Sequence, residues 1–272
     1  MIEKYYSGVI EQIYNRIGKE TRNIVMANYS NDFSIENLEV IRRYQSNEDN
    51  VFFAYSEFSY NTLVGAYEPF LDIICNMHRR FIGGSFDDFQ KECGVYYLHR
   101  QVLNSYYETG ECFREETVLL NEVAYEQRRM TMAIADMLKK LSEVKPLMIV
   151  INRFQMASKS SIETIKYLID NPCANIGIVL GVNAIVKGTD STVEVWDRIV
   201  ESLEDRSAIY YIGSAGPLKN NVKTTNDDEL YITMNFEQSI QEASNIMEFL
   251  DFEQARSCLL YTSPSPRDQR GS

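Results

Sequence analysis

The chain has 272 residues and a formal net charge of −12, with 44% hydrophobic and 24% charged residues, the composition of an ordinary globular protein. That charge, with no Lys/Arg run longer than a pair such as Arg79-Arg80, argues against nucleic-acid binding, which draws most of its affinity from neutralising phosphates. No apolar run approaches the ~18 residues of a membrane span, and no signal-peptide core is present. Five scattered cysteines without a C-x-x-C pair fit reduced thiols, so the expectation is a cytoplasmic protein with no membrane contact, no disulfide frame and no zinc site.

In chain order, residues 2–17 place Tyr5, Tyr6, Val9, Ile10, Ile13 and Ile17 on one helical stripe. The apolar run 22–27 predicts a buried strand, and Ser34 an N-cap for a helix carrying Leu38 and Ile41. A second strand is predicted over 51–56, followed by a helix that opens with Pro69 in its first turn. Gly83-Gly84 breaks that helix, and Ser85 caps the next, with Asp87-Asp88 decorating its start.

Residues 94–142 are helical in pattern with a break near Thr109-Gly110, and Pro146 introduces a strand at 147–151. A helix at 159–170, strands at 175–182 and 208–213, and a helix at 191–205 complete the alternation. Residues 217–228 read as a loop, 229–234 as a short strand and 236–255 as a further helix. Strands alternating with helices predict a three-layer α/β domain with a mainly parallel sheet over 1–235 and a helical insert at about 94–142, followed by the start of an all-helical region at 236–257. The tyrosines of helices mostly fall on apolar stripes, so core packing is their default role, and His78 and His99 are read as packed or solvent-facing rather than as ligands. The tail "CLLYTSPSPRD" (258–268) resembles a translated transposase sequencing adapter, so 258–272 is set aside, and the natural protein is expected to continue past Ser257.

Function hinges on two strand–loop junctions. In P-loop domains a buried strand feeds G-x-x-x-x-G-K-[ST] at a helix N-terminus, where backbone N–H groups wrap phosphates, the lysine neutralises them and the hydroxyl holds magnesium. A later strand carries the acids that hold the metal shell and polarise water. Here strand 22–27 followed by "YSNDFSIENLEVI" stands in the first position, and strand 147–151 in the second.

The segment "PLMIVINRFQMASKSSIETIKYL" resembles the Walker B region of the signal-transducing (STAND) AAA ATPases, the origin-recognition-like ATPase domains of bacterial multidomain signalling proteins. Pro146, Leu147, Val150, Gln155, Ala157, Ser161, Tyr167 and Leu168 carry the likeness. "FFAYSEFSYNTLVGAYEPFLDII" is similar to the family's second strand and the helix after it, and "NIGIVLGVNAI" to its sensor strand, with Asn183 near the polar sensor position. Residues 236–257 resemble the start of the helical repeats that follow such domains.

The departures fall on the chemistry. Aligned through Leu38, the phosphate loop spans Tyr29 to Glu36: Tyr29 and Ser34 replace glycines, Ile35 the lysine and Glu36 the magnesium-binding hydroxyl. Asn152 and Arg153 replace the two Walker B acids. Side chains at Tyr29 and Ser34 hinder close backbone approach to phosphate, and Asp32 and Glu36 put carboxylates where an anion would sit.

The resemblance therefore implies a vestigial nucleotide site made of Tyr29, Asp32, Ser34, Ile35, Glu36, Asn152, Arg153 and Asn183, with no catalytic residue and no metal ligand. The expected function is an inactive ATPase-like regulatory or scaffold module without a cofactor, whose partners are other proteins or downstream domains of the same chain. One alternative is a switch that binds ATP or ADP weakly without efficient hydrolysis. Another is a nucleotide-free interaction platform built on the tyrosine-rich insert 94–142. Arg153, or Asn152 in its place, is expected to reach Glu36 or Asp32 and close the site.

Overall fold

The computed structural model describes residues 2–29, 38–46, 50–58, 65–110, 123–183 and 190–212. In chain order these form α1 (Ile2–Arg16), β1 (Ile24–Tyr29), α2 (Glu39–Ser46), β2 (Phe52–Glu57), α3 (Phe70–Met77), α4 (Phe86–Glu92), α5 (Tyr97–Thr109), α6 (Val123–Val144), β3 (Leu147–Asn152), α7 (Lys159–Asp170), β4 (Ile176–Asn183), α8 (Asp190–Asp205) and β5 (Ile209–Ile212). A π-helical turn, His78–Ile82, follows α3, and a 3₁₀ turn, Phe154–Met156, follows β3. The predicted Ser34 cap, the strand at 229–234, the helix at 236–255 and the tail lie outside the described residues.

The five strands make one sheet in the order β2-β3-β4-β1-β5, with all four pairings parallel. Strands this apolar belong between two helical layers: every residue of β3 and β4 is buried. The pleat sorts side chains between two cores. Met26, Leu147, Ile149, Ile151, Ile178 and Leu180 join the helices α3 to α8 on one face. Val25, Ala27, Tyr29, Met148, Val150 and Val179 join α1 and α2 on the other.

Topology explains the division. The chain leaves β1 across β4 and β3 to reach β2, then steps back through β3 and β4 to β5. Right-handed crossovers place the outward connection on one face and the returning ones on the opposite face. The expected three-layer α/β architecture with a parallel sheet is the one observed.

Local signals explain the element ends. Ser85 Oγ accepts from the Asp88 backbone N–H at 3.2 Å, and Ser158 Oγ from that of Ser161 at 3.3 Å, so each caps its helix. Gly110 ends α5 in the left-handed conformation a C-terminal glycine adopts cheaply.

The tyrosine expectation needs correction. Tyr6, Tyr29 and Tyr67 are buried, but Tyr5, Tyr97 and Tyr125 are 60%, 48% and 58% exposed. On α1 the buried stripe is Tyr6, Val9, Ile10 and Ile13, without Tyr5. His78 and His99 are both buried. The His78 ring sits among Phe86, Phe89 and Tyr107, and the His99 ring meets Glu126 Oε2 at 2.7 Å, joining α5 to α6.

Candidate functional site

In parallel α/β sheets, ligands bind beyond the carboxyl ends of the strands where neighbouring strands send their connections to opposite faces. Here that point lies between β1 and β4. The chain turns from β1 toward α2 on one face and from β4 toward α8 on the other. Tyr29 and Asn183 stand side by side in register at this edge, and β3 brings Asn152 and Arg153 to the same end of the sheet.

Of the eight sequence-predicted site residues, Asp32, Ser34, Ile35 and Glu36 lie outside the described residues, as does the contact expected between Arg153 and Glu36 or Asp32. The other four have defined places. Tyr29, fully buried, donates its hydroxyl hydrogen to Asn152 Oδ1 at 2.6 Å. These residues belong to strands separated by β4, and the residue of β4 between them is Gly181. A Cβ built there would stand 2.8 Å from Asn152 Oδ1 and 2.4 Å from Tyr6 Oη. The missing side chain is therefore what lets β1 and β3 touch over β4.

Tyr6 descends from α1 onto the same spot, its ring edge-on to Tyr29 with centroids 6.3 Å apart. Burial, and after it the neighbouring Tyr29, Tyr55 and Glu57, raises the Tyr6 phenol well above its ordinary value of 10.0 and keeps it protonated.

Arg153 sits one residue past β3 with φ 54°, a left-handed backbone that turns its side chain back toward β2. Its Nη1 meets Glu57 Oε1 at 3.1 Å and donates to the Phe58 carbonyl at 3.3 Å. Tyr55 hydrogen-bonds the other oxygen of Glu57. The ion pair is largely shielded, with Arg153 and Glu57 side chains 19% and 16% exposed.

Asn183, at the sensor position of the resemblance, donates its backbone N–H to Gln155 Oε1 at 3.2 Å. Gln155 thereby ties the 3₁₀ turn after β3 to the end of β4. Tyr6, Glu57, Gly181 and Gln155 complete the arrangement and were not read as site residues from the sequence. Two of them had a signal there: Tyr6 its place on the apolar stripe of α1, and Gln155 its place in the segment that carries the resemblance.

The described side chains of this set engage one another. A protonated phenol, a carboxamide engaged by a second phenol and an ion-paired carboxylate offer no nucleophile beside a base. Magnesium needs oxygen ligands in octahedral geometry. Asn152 supplies a neutral oxygen already engaged by Tyr29, and Arg153 brings positive charge beside it, so these two residues do not fit the ion. Among the described residues no group of three His, Cys, Asp or Glu side chains is positioned to hold a metal. No family model and no curated protein matches this chain. Among the described residues no helix is long and apolar enough to cross a membrane.

Proposed function

We propose that this chain is an inactive P-loop-ATPase-like module, a regulatory or scaffolding unit of a bacterial signalling protein, whose nucleotide crevice is filled by its own side chains. The observation that carries this reading is the 2.6 Å hydrogen bond from Tyr29 to Asn152. By the resemblance, those two positions hold a phosphate-loop glycine and the first Walker B acid. A glycine leaves room for phosphate; a tyrosine bonded to the opposite strand occupies it.

The Arg153–Glu57 pair supports the same reading, because it places a guanidinium where an acid would polarise water. The five-stranded all-parallel sheet between two helical layers is consistent with the same reading. What remains is a rigid α/β body that acts through contacts with other proteins or with downstream segments.

Phosphate release from Mg-ATP by the full chain tests the claim of inactivity. Release stays at the level of a protein-free control. Turnover that rises in proportion to protein and is abolished by Asn152→Ala would refute the reading.

A further inference from the structure

The start of α6 carries a second, outward-facing stripe. Tyr125, Arg128, Arg129 and Met132 recur at i, i+3, i+4 and i+7, so they share one helical face. The buried face of the same helix carries Met130, Ile134, Met137 and Leu141. On the outward stripe, Tyr125 and Met132 are 58% and 38% exposed, and Tyr96 and Tyr97 at the entry to α5 are 36% and 48% exposed.

The Arg129 guanidinium lies 4.5 Å from the Tyr96 ring centroid and 4.7 Å from that of Tyr125, held between two rings. Arg128 is exposed and has no ion pair among the described residues. Beneath them the buried contact of His99 with Glu126 fixes α5 to α6. Rigid tyrosines around a preorganised arginine are the composition of interface hot spots.

We propose that residues 236–255 of this same chain dock on this platform. Charge is the first argument. That segment carries Glu237, Glu242, Glu248, Asp251 and Glu253 and no Lys or Arg, whereas the platform stripe offers the exposed Arg128 beside Arg129, which the largely buried Glu126 meets at 3.6 Å. Pattern is the second. Phe236, Ile240, Ala243, Met247 and Leu250 recur at i, i+4, i+7, i+11 and i+14, the spacing of an amphipathic helix that lays an apolar face on a partner. Reach is the third. The stretch from Ile212 to Phe236 spans up to about 80 Å when extended, against a radius of gyration of about 17 Å for a domain of this size.

The inference rests on the interaction-module reading and not on closure of the crevice, because no crevice residue enters its test. Arginine modification by phenylglyoxal, read residue by residue by mass spectrometry on the full chain, measures the docking. The comparison is a variant carrying Glu237→Gln, Glu242→Gln, Glu248→Gln, Asp251→Asn and Glu253→Gln.

Arg128 reacts about fivefold more slowly in the natural chain at low salt than in the variant, the difference disappears at high salt, and the exposed Arg22 reacts equally in both. Tyr125→Ala with Met132→Ala, which leaves every acid in place, also speeds Arg128. Equal Arg128 rates in the natural chain and the neutralised variant overturn the proposal. Slowing that grows with protein concentration also overturns it and assigns the surface to a second copy.

Discussion

Tyr29 and Asn152 bond to each other from strands that are not neighbours. The hydroxyl of one passes over Gly181 of the intervening strand to the carboxamide of the other, 2.6 Å away. The contact depends on a residue that takes no part in it. A methyl group at Gly181 would collide with Tyr6 Oη and Asn152 Oδ1 together, in a buried layer with nowhere to move. Gly181→Ala is expected to cost about 1–3 kcal/mol. Gly177→Ala, two turns of the pleat earlier on the same face, meets Ile17 Cδ1 and Cγ1 at 2.9 Å and Ile13 Cγ2 at 3.0 Å, so it also overpacks the core, at about 1–3 kcal/mol, but away from the bridge. Urea unfolding of each glycine variant, alone and with Tyr29→Phe, separates the two. The Gly181→Ala cost is expected to change when the bridge is absent and the Gly177→Ala cost is not, and equal behaviour would contradict the bridge.

Arg153 and Glu57 form a shielded pair, so removing one partner leaves a charge with little water around it. Arg153→Met keeps the apolar stem and is expected to destabilise the fold by about 2 kcal/mol. Adding Glu57→Gln relieves the orphaned carboxylate. The double variant therefore loses less than the two single changes together, by about 1 kcal/mol. Strict additivity in that double-mutant cycle would show the pair to be incidental.

Burial lowers the His78 imidazole from its ordinary value of 6.5, with the nearby Arg79 charge adding to the effect. The unfolded chain then takes up a proton near that ordinary value while the folded chain resists. Stability is complete above about pH 6.5 and falls as the pH drops through the lowered folded value. Below it the loss stops growing. Urea midpoints measured across this range for the natural chain and His78→Gln check it. The variant is expected to lose that part of the slope, whereas a variant that keeps it in full would locate the titration elsewhere.

Asn28 sits on β1 one residue before Tyr29, on the opposite face, fully buried, with neither its Oδ1 nor its Nδ2 hydrogen-bonded among the described residues. An unsatisfied buried carboxamide costs about 1–3 kcal/mol. Asn28→Val, which suits a central strand, is therefore expected to be neutral or to raise stability by about 1 kcal/mol. A loss above about 2 kcal/mol would mean that Asn28 is satisfied by something other than its own fold.

How far the sequence spoke depended on the range of each contact. The apolar runs at 22–27, 147–151 and 175–182 reported β1, β3 and β4 because buried parallel strands have no polar face to confuse the pattern. Ser85 reported a helix start because a cap acts within three residues. The Tyr29–Asn152 bond joins positions 123 residues apart and needs the strand order before it can be seen. Glu57 was missed for the same reason: it ends β2 beside β3, and only that pairing brings it to Arg153. Gly181 looked like one more small residue in an apolar strand. Its meaning comes from Tyr6, which arrives from a helix at the other end of the chain.

The central claim is that the crevice excludes nucleotide because its own side chains fill it. Calorimetric titration of the full chain with ATP and with ADP, each with and without magnesium, tests this most directly. The account expects no binding heat at millimolar nucleotide. Micromolar binding would contradict it, since the phenol could then not stand in the nucleotide's place, and the weak-switch alternative would take over.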